Sequence, residues 1–314
     1  MSALLSVSLT LNIDFPMKKL SYRHYSALLG ISLVFLSFLF LFAAAATVQA
    51  YEPVSASVIA DRLSEEKGIG PQVVERFLRV PGLTADPAIV AKNLKQVEKQ
   101  ASYDYFLRPQ PLDLAREFLQ NNLSWLAKME ERFSVPKELV AAIFLVESHY
   151  GANGGKYPLL RVFISLSLCD RKALLRQTYD LLKKQYPDMD YQWLAGRAAR
   201  KSSWAYGQLK ALLKMRDKVD IVHLKGSWAG AFGIPQFIPT SFLAYAVDGN
   251  GDGRIDLYLY QDAAASVMNY LRRHGWKGKM TPKKEEKVIW SYNHSKLYVS
   301  TILAIRDRLR EGDH

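Results

Sequence analysis

A single cysteine, Cys169, stands in 314 residues. It has no partner for a disulfide within the chain, and its isolation excludes any zinc or iron–sulfur site built on several thiolates. It lies in an apolar, helical context and is expected to be buried and inert rather than nucleophilic. Histidine is scarce as well, six in all. His149, His274 and His294 show no metal-ligand spacing and read as structural. After residue 50 no long stretch is rich in glycine, proline and serine together, and no segment repeats, which excludes low-complexity and repeat architectures. Alternating strand patterns are rare; residues 254–258 offer one short candidate. Acidic residues are in the minority, 30 Asp+Glu against 42 Lys+Arg, for a net charge of +12. That excess suits an acidic partner (nucleic acid, anionic lipid or another acidic polymer) and says nothing about fold. What is present is ordinary for a globular protein: 49% hydrophobic and 23% charged residues, enough for a sizeable core.

Residues 28–48 form an uncharged apolar run. Lys18, Lys19 and Arg23 precede it, and Val48-Gln49-Ala50 ends it with small residues suited to a signal peptidase. This pattern predicts a secretory signal peptide over residues 1–50, with Met17 as a better start than Met1. A retained membrane anchor is the alternative, since about 20 apolar residues span a bilayer. No cysteine follows the run, so a lipoprotein is excluded. Either way the body is expected outside the cytoplasm.

The rest reads as helical almost throughout. Leu119, Leu123, Leu126, Met129 and Phe133 recur at steps of three and four. Pro136 suits a helix start, and residues 139–146 are apolar on every side, which predicts a helix central to the core. Further helical runs cover residues 204–215, 262–273 and 297–310. Residues 51–110 read as an accessory helical segment broken at Gly68-Ile69-Gly70-Pro71 and Pro81-Gly82, and residues 111–314 as the main domain. The expected class is mainly α with one core.

Three segments carry chemistry. Glu147 falls in the last turn of the apolar helix, with Gly151 as a plausible stop. The negative end of the helix and burial beside aliphatic side chains both raise a carboxyl pKa, as a general acid requires near neutral pH. A solvated glutamate at a helix end is the alternative. Next, the segment from Gly226 to Pro239 mixes three glycines with aromatics and sets Ser227 and Gln236 among apolar neighbours. It reads equally as a ligand-binding turn or as a tight helix–helix corner. Finally, Asp248, Asn250 and Asp252 with Gly253 and Ile255 reproduce the first half of a calcium-binding EF-hand loop. Arg254 would offer its backbone carbonyl. Leu259 replaces the usual Glu, and Asp262 is the replacement carboxylate. A solvated surface turn is the competing reading. Ser295 is available to cap a helix that carries Tyr298.

Taken in order, these motifs resemble the lytic murein transglycosylase B family of bacterial cell-wall enzymes (glycoside hydrolase family 103). The likeness rests on Val146-Glu147-Ser148-His149-Tyr150-Gly151, Leu224-Lys225-Gly226-Ser227-Trp228-Ala229-Gly230-Ala231, Gln236-Phe237-Ile238-Pro239-Thr240-Ser241, Tyr245-Ala246-Val247-Asp248 leading into the loop, His274-Gly275-Trp276, and Tyr292-Asn293-His294-Ser295 with Tyr298. It runs from about residue 100 to the C-terminus. It implies a lysozyme-like α-rich domain with helical side subdomains and an EF-hand-like loop at 248–262. Glu147 would be the single catalytic acid/base. Ser227, Gln236, Tyr270, Tyr292, Asn293 and Tyr298 would line the glycan cleft, together with an N-terminal tyrosine, Tyr103 or Tyr105. Asp248, Asn250, Asp252, Arg254 and Asp262 would hold a structural calcium ion, and the chemistry would need no cofactor. Two stretches depart from the family: the one between Trp276 and Tyr292 is short, and residues 156–160 differ from the usual sequence.

The activity implied is non-hydrolytic cleavage of peptidoglycan between N-acetylmuramic acid and N-acetylglucosamine, leaving a 1,6-anhydro end, in periplasmic cell-wall turnover. The partner is the glycan strand, not nucleic acid. A monomer is expected, touching the membrane only if the leader is retained. A lysozyme-type hydrolase and a non-catalytic, calcium-stabilised wall-binding protein are the alternatives.

Overall fold

A computed structural model describes residues 52–95 and 103–311. They belong to one compact unit, Glu52–His314; the expected leader lies outside the described residues. Among the described residues no helix is long and apolar enough to cross a membrane.

Twelve α-helices order the described chain: α1 (Ala60–Ser64), α2 (Gly70–Leu78), α3 (Pro87–Lys95), α4 (Pro109–Phe133), α5 (Lys137–Ser148), α6 (Leu159–Ser167), α7 (Lys172–Gln185), α8 (Tyr191–Lys214), α9 (Pro239–Tyr245), α10 (Tyr260–Arg273), α11 (Pro282–Tyr292) and α12 (Lys296–Glu311). Proline opens several of them, at the first turn of α2, α4, α9 and α11, where its missing N–H costs nothing. Asp190 caps α8 by accepting the Trp193 N–H. Ser295 accepts the Tyr298 N–H at 3.1 Å, the cap expected from sequence.

The all-apolar run behaves as its pattern requires. Leu139 through Leu145 of α5 are fully buried, and α4 and α12 pack along the helix. On the other side of the molecule α6 packs on α8, and α3 on α7. The buried residues form one continuous cluster from Ala56 to Leu309. In α4 the buried stripe is Leu112, Ala115, Phe118, Leu126, Met129 and Phe133. Leu123, expected on that face, lies at its edge and is 50% exposed.

Strand structure differs from expectation. Residues 254–258 form no strand, because they have no neighbouring strand to pair with; Leu257 gives a single backbone acceptor to the Ile234 N–H at 2.8 Å. The sheet consists instead of β1 (Tyr157–Pro158) antiparallel to β2 (Lys225–Gly226), with Tyr157 opposite Gly226. Gly155 explains why this pair forms so close to α5. A Cβ there would come within 2.1 Å of the Gly226 carbonyl carbon, and its φ is +90°, so only glycine lets the two chains meet.

Candidate active site

The end of α5 is fixed by bonds to distant chain. Ser148 Oγ donates to the Ile234 carbonyl at 2.8 Å and accepts the Gly151 N–H at 2.9 Å. The Tyr150 hydroxyl turns back to donate to Ala141 O at 2.9 Å, its ring stacked on Phe118, and the Tyr260 hydroxyl donates to Tyr150 O. These ties hold His149 and Tyr150 at φ of 49° and 57°, left-handed conformations that cost on the order of 1 kcal/mol each outside glycine. The helix therefore stops at Ser148, before Gly151, the residue expected to end it.

Glu147 occupies that last turn, half-buried. The Tyr298 hydroxyl, from the first turn of α12, donates to Glu147 Oε1 at 2.8 Å. Beside it the Tyr292 ring lies parallel to that of Tyr298, 6.2 Å away at 6°, and its hydroxyl donates to Pro235 O at 2.6 Å. Tyr270 meets Tyr292 edge-on at 4.9 Å, stacks on His274 at 4.1 Å and donates its hydroxyl to Ser291 O. Three helices, α10, α11 and α12, thus deliver three tyrosines to one wall beside one carboxyl. Tyr103 stands near enough to Tyr298 to influence its phenol. Tyr105 and Phe106 pack on His149 at 5.6 and 5.5 Å.

Burial raises the Glu147 pKa from 4.5 to about 7, against a smaller lowering by the Tyr298 hydrogen bond. The first effect penalises the anion and the second stabilises it. Burial, and then the Glu147 charge, hold the Tyr298 and Tyr292 phenols well above the ordinary tyrosine range. Both therefore remain hydrogen-bond donors at neutral pH. Burial likewise pushes the Cys169 thiol up to about 12, consistent with the inert role expected of it.

Glu147, Tyr103, Tyr270, Tyr292 and Tyr298 are thus brought together. Half-buried Asn293 ends α11 next to Tyr292. Gln236 adjoins these residues through Pro235, whose carbonyl accepts the Tyr292 hydroxyl, whereas Ser227 closes its own turn. Ser227 Oγ accepts the Ala231 N–H at 3.1 Å, and Gln236 Nε2 donates to Gly233 O at 2.8 Å. The Pro235 carbonyl, which anchors Tyr292, carries no signal in sequence. Of the two candidates for the N-terminal tyrosine, Tyr103 stands nearer Tyr298 and Tyr105 packs on His149; Phe106 carries no signal in sequence.

The loop expected to hold calcium is a separate structure. Asp248 accepts the Gly251 and Gly253 N–H groups, Asn250 the Asp252 N–H, and Asp252 the Arg254 N–H. Asp262, 1% exposed, accepts the N–H groups of Gly249, Asn250 and Asp256. The hard-oxygen donor set suits calcium. Among the described residues, however, no three His, Cys, Asp or Glu side chains gather at metal-binding spacing; the loop is held by its own amides.

The helical fold is that of a transglycosylase domain. The chain belongs to the Transglycosylase SLT domain family, whose pattern matches residues 54–285. It is 36% identical over 146 residues to the membrane-bound lytic murein transglycosylase B of Escherichia coli, a match covering 46% of this chain and 33% of that protein. Several solved structures share its fold, two of them with bound ligands of interest. One is the Pseudomonas aeruginosa SltB3 in complex with NAG-anhNAM-pentapeptide, at TM-score 0.65 and 22% identity, covering 82% of this chain and 80% of that one. The other is the Escherichia coli lytic transglycosylase Slt35 in complex with calcium, at TM-score 0.63 and 20% identity, covering 85% and 98%.

Proposed function

We propose that the protein is a peptidoglycan lytic transglycosylase acting in the periplasm, and that residues 1–50 export it. The observation that carries this is one desolvated carboxyl, Glu147, with a pKa near 7 and a phenol donor on Oε1. Membership of the transglycosylase family and the muropeptide bound by SltB3 support it. Neutral Glu147 donates its proton to the oxygen joining N-acetylmuramic acid to N-acetylglucosamine, and the C1–O bond breaks. The Glu147 carboxylate, stabilised by the Tyr298 hydroxyl, then takes the proton from the muramic acid C6 hydroxyl as that oxygen bonds to C1. Glu147 is protonated again and no water is consumed. The nucleophile is tethered to the reacting centre, so one acid/base residue suffices where hydrolytic glycosidases use two carboxylates. Tyr270, Tyr292, Asn293, Tyr103, Ser227 and Gln236 form the glycan cleft around that step. The net positive charge suits an acidic polymer.

Glu147→Gln leaves the size and shape of the side chain nearly intact but removes the transferable proton. We expect glycan release from purified sacculi to fall at least a hundredfold, the scale of general acid catalysis, with the circular dichroism spectrum unchanged. Release at the normal rate would remove Glu147 from the mechanism.

Calcium completes the reading. Asp248, Asn250, Asp252 and Asp262, with the Arg254 carbonyl, would hold the ion, which supplies a crosslink within the loop and no chemistry. The donor set and the calcium complex of Slt35 support it.

A further inference from the structure

One residue past Ser227, a proposed glycan-cleft residue, the chain lines a trough of lysines and aromatic rings. Trp228 follows Ser227 directly and lines a cavity of about 510 Å³ with Lys92, Lys95 and Tyr186. A second cavity of about 660 Å³ shares Lys95 and Tyr186 and extends to Trp193. The Lys92 ammonium lies 5.5 Å from the Trp228 ring and 5.6 Å from the Tyr157 ring, and that of Lys95 lies 3.9 Å from the Tyr186 ring. Between the two lysines, buried Asn93 donates to Trp228 O at 2.7 Å, which fixes the Ser227-Trp228 turn against α3. Lys92 and Lys95 are three residues apart and so share one face of that helix. The trough also holds acidic groups, Asp188 and Asp190, but the Asp190 carboxylate is engaged as the cap of α8.

The geometry points to this trough as the site for the acidic stem peptide of the peptidoglycan strand whose glycan occupies the Glu147 cleft. The inference rests on the transglycosylase reading of that cleft. A lysine pair needs carboxylates to meet. In a peptide-bearing strand the muramic acid carboxyl is consumed in the amide to the stem, so the free carboxylates belong to the peptide. Trp228 follows directly on Ser227, which the proposed function assigns to the glycan cleft, so a peptide branching from a strand bound there leaves the cleft beside the trough. The flat rings of Trp228 and Tyr186 pack against peptide backbone and aliphatic side chains, while the ammonium groups bond carboxylates.

The test compares peptide-bearing glycan strands with strands stripped by an amidase, using the purified wild-type protein, Lys92→Glu/Lys95→Glu, and Lys92→Arg/Lys95→Arg. Wild type is expected to prefer peptide-bearing strands. Reversing both charges should raise KM for those strands about tenfold, the scale of two exposed ion pairs, with kcat held and stripped strands unaffected; the arginine pair should behave as wild type. A wild type indifferent to the peptide, a charge reversal that changes nothing, or one that weakens both substrates alike would overturn the proposal. Normal release of anhydro ends alongside any of those results sinks the trough alone. Absence of anhydro ends from both substrates sinks the reading of the cleft, and the trough with it.

Discussion

Replacing Tyr298 by phenylalanine isolates the one hydrogen bond on the Glu147 carboxyl. That bond lowers the pKa against the larger effect of burial, so its loss moves the pKa above about 7 and shifts the alkaline limb of the rate profile to higher pH. It also costs the carboxylate its donor in the second step. With a charge-assisted bond worth roughly 1.5–3 kcal/mol, the rate at neutral pH should fall about tenfold or more. An alkaline limb that stays in place would show that Tyr298 does not govern the Glu147 proton. Stability carries the opposite signature. Because burial raises the folded-state pKa from 4.5 to about 7, the folded chain binds more protons than the unfolded one in that window. Stability therefore falls as pH rises through it. Glu147→Gln should match wild type at pH 4 and exceed it at pH 8 by about 3 kcal/mol.

Elements differ in how much of them the sequence displays. The interior of α5 was legible because apolar residues on every face of a helix admit no other place than the core. Its end was not. The left-handed His149 and Tyr150 are imposed by Ser148 bonding to Ile234 and by Tyr150 packing on Phe118, partners that lie far away along the chain. Two-residue strands show no alternation to read, so β1 and β2 were not legible, and the need for glycine at Gly155 appears only where the two chains meet. The loop from Asp248 to Asp262 was legible as a donor pattern, while its use of loop amides appears only in three dimensions. If that loop binds calcium, adding the ion to chelator-treated protein should raise the melting temperature, and chelator should lower it again. Superimposable melting curves would defeat the metal claim.

At the scale of the whole molecule, one core runs from Ala56 to Leu309 and holds α5 rigid while α10, α11 and α12 carry tyrosines to its end. The class of fold was within reach of the sequence, since the all-apolar helix and the run of helical periodicities are local; the proposed acid, Glu147, was one of two readings of a helix-end glutamate, and only the family resemblance favoured it. The Lys92–Trp228 trough was not legible, because its halves come from distant parts of the chain and neither is distinctive alone. The reaction itself is tested most directly by digesting purified sacculi with the protein and weighing the released glycan ends. Ring closure by the C6 hydroxyl incorporates no water, so every new muramic acid end should be one water lighter than a reducing end, and all of this release should vanish with Glu147→Gln. Reducing ends as the main product would identify a hydrolase and contradict the intramolecular step.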